Sequence, residues 1–136
     1  MINKIRVYVC MILALFVVAG CSGTSKADYS KIIDSALKAN KELVSEQNWE
    51  KKYSEFDRKN SNIMIWEDGN NYYVYLRKNV ENAYVTGDGY KIDKNMDKWS
   101  SSPADRAKIK DFLDDNKEPV YKENNVTLVS DDLDMR

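Results

Sequence analysis

Ile63-Met64-Ile65-Trp66-Glu67-Asp68-Gly69-Asn70-Asn71-Tyr72-Tyr73-Val74-Tyr75-Leu76-Arg77 reads as two β-branched and aromatic runs around a Gly and Asn turn. Runs of this kind fit a pleated, half-buried surface, and Gly-Asn between them supplies the left-handed backbone that a tight reversal needs. The stretch predicts a hairpin over Ile63–Trp66 and Tyr72–Arg77. Alternation with period two puts Tyr72, Val74 and Leu76 on one face and Tyr73, Tyr75 and Arg77 on the other. The first face is the better candidate for a core.

A hairpin alone cannot bury its apolar face, so the cover must come from elsewhere in the chain. Upstream, Tyr29, Ile32, Ile33, Ala36, Leu37, Leu43 and Val44 recur at three- and four-residue steps. Lys31, Asp34, Lys38, Lys41 and Glu42 fall mostly on the opposite side, the pattern of an amphipathic helix. Asp28, or Ser25 with Asp28 three residues on, can cap it. Trp49, Tyr53 and Phe56 continue a helical spacing out of phase with Val44, which predicts a bend or restart around Gln47-Asn48 and an end before Lys59. With neither Pro nor Gly, the helix approaches about 30 residues and is the longest element expected.

Downstream, Val80 to Thr86, a Gly87-Asp88-Gly89 turn and Tyr90-Lys91-Ile92 read as a second hairpin. Asp93 to Ser101 reads as a polar loop. Ser102 has N-cap chemistry, Pro103 suits the first helical position, and Asp105 stands where a capping box places its acid, so a short helix should run to about Asp114. Val120-Tyr121-Lys122, an Asn124-Asn125 turn and Val126-Thr127-Leu128-Val129 predict a last strand pair. The order of elements is that of an α+β fold, a long N-terminal helix packed on a curved antiparallel sheet with a short helix before the last strands.

The N-terminal segment is of another kind. Lys4 and Arg6 precede the apolar run Val7–Ala19, which is too short for a good transmembrane helix and reads as a signal segment. Residues 1–20 are therefore expected to direct export. The following run Val18-Ala19-Gly20-Cys21 resembles the lipobox of bacterial lipoproteins. That resemblance implies cleavage before Cys21, a diacylglycerol thioether on its sulfur and acylation with chains such as palmitate, enough for durable attachment to a membrane. The expected organisation is a signal peptide at 1–20, a lipidated polar leash at 21–27, an α+β domain at 28–130 and a frayed acidic tail at 131–136. The chain's other cysteine, Cys10, leaves with the signal, so no disulfide or thiolate metal site is expected in the domain.

The chain has 136 residues and no histidine, and past the signal it carries 19 basic against 22 acidic residues. A slightly acidic exported domain does not point to nucleic acid. Without histidine the usual general base near neutral pH and the usual zinc ligand are missing. Glu67-Asp68 and the Asp131, Asp132 and Asp134 group are carboxylate clusters of the sort that water normally solvates, and Asp93-x-Asn95-x-Asp97 lacks the Gly and distal Glu of a calcium loop. No catalytic residue, metal ligand or cofactor is assigned. The aromatic surplus carries more information. Tyr73 and Tyr75 beside Arg77, if turned outward, make a rigid amphipathic surface suited to a protein or glycan partner.

With these elements in order, residues 29–125 resemble the staphylococcal lipoproteins described as having a cystatin-like fold. The resemblance rests on the lipobox at Cys21, the charged helix from Asp28, Ile65-Trp66-Glu67-Asp68-Gly69, and Tyr90-Lys91-Ile92. It also rests on the stretch from Asp111-Phe112-Leu113 through Lys117-Glu118-Pro119 to Tyr121-Lys122-Glu123-Asn124-Asn125. It implies a cystatin-like fold and an extracytoplasmic place on the cell membrane of a Gram-positive bacterium, and no established activity. Protease inhibition is not implied, because the Gln-Val-Val-Ala-Gly hairpin of inhibitory cystatins is absent and the turn Glu67 to Asn71 departs from their pattern. The expected function is a non-enzymatic binding or accessory domain at the cell surface. The alternatives are a carboxylate-based or metal-dependent hydrolase and a purely structural surface lipoprotein.

Overall fold

The computed structural model describes residues 26–132 and Met135. The signal segment, Cys21 and the start of the leash lie outside the described residues. Helix α1 spans Lys26–Glu46. Its buried stripe is Ile32, Ile33, Ala36, Ala39, Asn40 and Val44, with Leu37 and Leu43 packed at the margin. The helix stops where the apolar phase slips: Asn48 takes a left-handed φ of 55°, and Trp49 donates its amide back to the Val44 carbonyl. A separate turn of helix, α2, follows at Lys51–Ser54. The restart near Gln47-Asn48 is therefore real, and the single helix of about 30 residues is replaced by one of 21 and one of 4.

Five antiparallel strands form one open sheet. The hairpin that decided the fold is β1, Asn62–Asp68, paired with β2, Asn71–Val80, around Gly69 at φ 58°. β3 follows at Tyr84–Asp93. The reversal into it is made by Glu81 and Asn82, both with positive φ, not by Gly87-Asp88-Gly89. Those three residues lie inside β3, where Gly87 faces Arg77 and Gly89 faces Tyr75. A two-residue strand β4, Trp99–Ser100, pairs with Lys91 and Ile92. Helix α3 runs Pro103–Asp114, and β5, Tyr121–Asn124, returns to pair with β1 at the far edge. The sheet order is β4-β3-β2-β1-β5.

The capping chemistry read at Ser102 is present in full. The Ser102 hydroxyl accepts from the Asp105 amide, the Asp105 carboxylate accepts from the Ser102 amide, and Pro103 opens the helix. Burial pushes the Asp105 carboxyl up, but hydrogen bonds from Ser100 and Ser102, with Lys91 at 3.1 Å, outweigh it and hold it at about 2.

Each face of the sheet has its own core. On the α1 side Ile63, Ile65, Val74, Leu76, Tyr90 and Ile92 pack with Phe56 and the helix stripe, and Tyr72 joins from the margin. Trp99 belongs to this layer: it meets Tyr90 edge-on at 6.3 Å and donates its indole N–H to Glu42 of α1. A polar chain threads the same layer, in which Tyr90 donates to Asp88 at 2.6 Å and accepts from Asn40, while Asn40 reaches the Ser54 carbonyl and the Phe56 amide. These bonds tie the break after α1 to the sheet, because each buried polar group would be costly if left unmade. On the other face Trp66, Tyr75, Ile109 and Phe112 form a smaller core with Met64, Tyr73, Leu113 and Met135 around it.

Candidate functional site

The second face is the one on which Tyr73, Tyr75 and Arg77 lie, as alternation predicts, but α3 and the end of the chain cover it. Tyr75 is 1% exposed. Tyr73 is half-buried and meets Phe112 edge-on at 5.6 Å. The open aromatic surface expected from the sequence is therefore not present: Tyr73 and Tyr75 serve mainly as packing for α3. Arg77 is half-buried and faces the C-terminal segment.

That segment, residues 126–132, is not the strand expected at Val126–Val129. It crosses β1 and β2 as a strap, and its main chain bonds to side chains of the sheet. The Val126 amide donates to Asn62 Oδ1. Asn79 holds two points at once, its Nδ2 donating to the Thr127 carbonyl and its Oδ1 accepting from the Val129 amide. Arg77 donates through Nη2 to the carbonyls of Ser130 and Asp132. Further along, Met135 bridges to Gly87 and packs against the smaller core, so the stretch read as a frayed tail is tied to the sheet at these points.

A cavity of about 300 Å³ lies between the strap and the sheet, walled by Asn62, Met64, Tyr75, Arg77, Asn124, Thr127, Leu128 and Asp131. Its inner end is Tyr75 and Arg77, and its roof is Thr127 and Leu128. Arg77 Nε is buried and has no hydrogen-bond partner among the described residues.

The root of the strap is held by charge. Arg58 grips the Glu123 carboxylate with both Nε and Nη2 and also donates to Ser30 of α1. Tyr121 and Asn125 donate to the same carboxylate, and Asn125 also reaches the carbonyls of Arg58 and Ser61. The Arg58 guanidinium, with these neutral donors, overcomes burial and holds the Glu123 carboxyl at about 2. The same carboxylate pushes the Tyr121 phenol up. Tyr121 in turn stacks on Tyr29 at 4.9 Å, which joins β5 to the first turns of α1.

Glu67 pairs with Lys94, and Asp68 pairs with Lys108 at 3.0 Å. Asp93 closes its own turn by accepting from the Lys98 amide. No group of three or more His, Cys, Asp or Glu side chains among the described residues is placed to hold a metal ion.

Sequence reasoning singled out Tyr75 and Arg77 but not their companions Asn62, Asn79 and Asn124. The sequence carries little signal for them, since Asn62 follows Asn60-Ser61 and Asn79 follows Arg77-Lys78, where polar residues ordinarily mark the ends of strands. No family model matches the chain, and no curated protein or solved structure matches it either.

Proposed function

We propose that this chain is a lipid-anchored extracytoplasmic domain that acts by binding, not by catalysis, and that it carries a cystatin-like variant of the α+β fold. The observation that carries the reading is Val18-Ala19-Gly20-Cys21 directly after a positively flanked apolar run. Among the described residues no helix is long and apolar enough to cross a membrane. The attachment proposed is lipid on Cys21. The place proposed is the outer surface of the cell membrane, and the partner an envelope protein or a glycan.

The strap cavity supports binding over chemistry. It brings together an arginine, a tyrosine, an aspartate, two asparagines and a threonine. This is a set suited to recognition by hydrogen bonds and charge, and a sequence without histidine supplies no ready general base beside it.

The test is mass spectrometry of the protein from the membrane fraction. The expected product begins at Cys21 with a diacylglyceryl thioether, and Cys21→Ala should leave the chain unlipidated with its first residues attached. An unmodified Cys21 in protein released to the medium overturns the anchor. Crosslinking on intact cells followed by affinity capture should recover a specific envelope component, and recovery of none overturns the binding role.

A further inference from the structure

We propose that the cavity under the strap binds a small molecule with a free carboxylate, of amino-acid to dipeptide size, and that Arg77 is the residue that receives that carboxylate. The proposal rests on the binding role above but not on the lipid anchor.

Three observations lead to it. Arg77 is a guanidinium whose described hydrogen bonds go only to two neutral carbonyls, those of Ser130 and Asp132, and no described carboxylate lies within ion-pair distance of it. Its Nε is buried with no partner among the described residues. That nitrogen is closed to a water-sized group, so a ligand in the cavity meets the outer edge of the guanidinium, and a carboxylate is the group whose two oxygens match its planar fork.

The space is of the right size. About 300 Å³ is the room of roughly ten water molecules and stands at the small end of ligand pockets. Met64 and Leu128 give it an apolar wall on which an aliphatic body can rest, while Asn62, Asn124 and Thr127 supply amide and hydroxyl groups.

The third observation sets the ligand's other end. Asp131 is exposed and belongs to the same wall, so a carboxylate stands beside the cavity that Arg77 makes positive. This arrangement disfavours a dianion and favours a molecule with a cationic or N–H donor group as well as its carboxylate. A free amino acid and the C-terminal end of a peptide share that chemistry.

The experiment uses the full chain, labelled with ¹⁵N and held in detergent, and follows the Nε–H signals of its arginines. The Arg77 signal is identified by its loss in Arg77→Lys, or by through-bond assignment if that variant does not fold. L-leucine, the dipeptide Ala-Ala and the C-terminally amidated Ala-Ala are added in turn to millimolar concentration. A saturable shift of the Arg77 signal with L-leucine or Ala-Ala, and none with the amide, supports the proposal. Leucine alone identifies a free amino acid as the ligand class, and Ala-Ala alone identifies a peptide end.

Leu128→Trp should fill the cavity while leaving the bonds from Arg77 to Ser130 and Asp132 in place, and should abolish the saturable shift. An Arg77 signal that neither acid moves, that the amide moves equally, or that still saturates in Leu128→Trp overturns the proposal. Crosslinking of an envelope component together with an unmoved Arg77 signal would leave the binding role standing without this ligand.

Discussion

Gly89 stands in the middle of β3 with α3 lying directly over it. A methyl group at this position would come within 2.6 Å of Ile109 Cδ1 and 3.5 Å of Met135 Sδ. Ile109 is fully buried and has little room to give. Gly89→Ala should therefore cost about 1–3 kcal/mol, as overpacking of a close-packed core does; urea denaturation of the full chain in detergent measures it, and an unchanged midpoint would show that α3 can lift without loss. On the opposite face Tyr90 is the hub of the polar chain between Asp88 and Asn40, and burial together with the Asp88 carboxylate drives its phenol far above its usual range. Tyr90→Phe removes a donor from a buried carboxylate and an acceptor from Asn40 at little change in volume. The expected loss is about 1–3 kcal/mol, against almost none for Tyr84→Phe, whose ring is largely exposed.

At the scale of elements, the strap differs from every strand in how it is held. Its main chain is bonded by Asn62, Arg77 and Asn79 side chains, where a strand would exchange bonds along a ladder. Asn79→Ala removes both ends of one such clamp. The Val129 amide should then exchange hydrogen with solvent faster while the amides of β2 and β3 keep their protection, because the strap can open locally without unfolding the sheet. Exchange measured by NMR tests this, and equal acceleration throughout would make the strap part of the global folding unit. Much of the element order was legible beforehand, since Ile63 to Arg77 has strand periodicity, Tyr29 to Val44 has helical periodicity and Ser102-Pro103-Ala104-Asp105 has cap chemistry. Two elements were not. Gly87-Asp88-Gly89 looks like a turn because glycine usually marks one, yet here the missing side chain of Gly89 makes room for Ile109 of α3, a requirement set by an element some fifteen residues or more away. Val126 to Val129 has the composition of a strand, and only the asparagines that reach it from β1 and β2 decide that it crosses the sheet. The candidate site was legible as two residues, Tyr75 and Arg77, but not as a cavity, because its roof comes from that misread segment.

For the molecule as a whole, two carboxylates connect stability to pH. Glu123 and Asp105 both sit at about 2 in the folded chain, below the ordinary values of 4.5 and 3.8. A carboxyl whose pKa is depressed by folding contributes stability above its unfolded pKa and loses it as pH falls toward the folded one. The domain should therefore hold its stability down to about pH 5 and lose it progressively toward pH 2. Glu123 alone should account for on the order of 2 kcal/mol, since its side chain is only 12% exposed against Arg58. Denaturant midpoints across that range should fall, and Glu123→Gln should be less stable at neutral pH with a flatter acid limb. A wild-type acid limb no steeper than that of the variant would mean that the Arg58 grip adds nothing measurable.

Because residues 126–132 roof the cavity and Met135 is bridged to β3, the C-terminal end of this chain is a poor place for an affinity handle or a fluorescent fusion. Cargo attached there would pull on the same few bonds that shape the pocket, and a silent binding assay could then reflect the label. The Gly69-Asn70 turn, exposed and at the end of the β1–β2 hairpin remote from Asn62 and Asn79, is the better point at which to insert one.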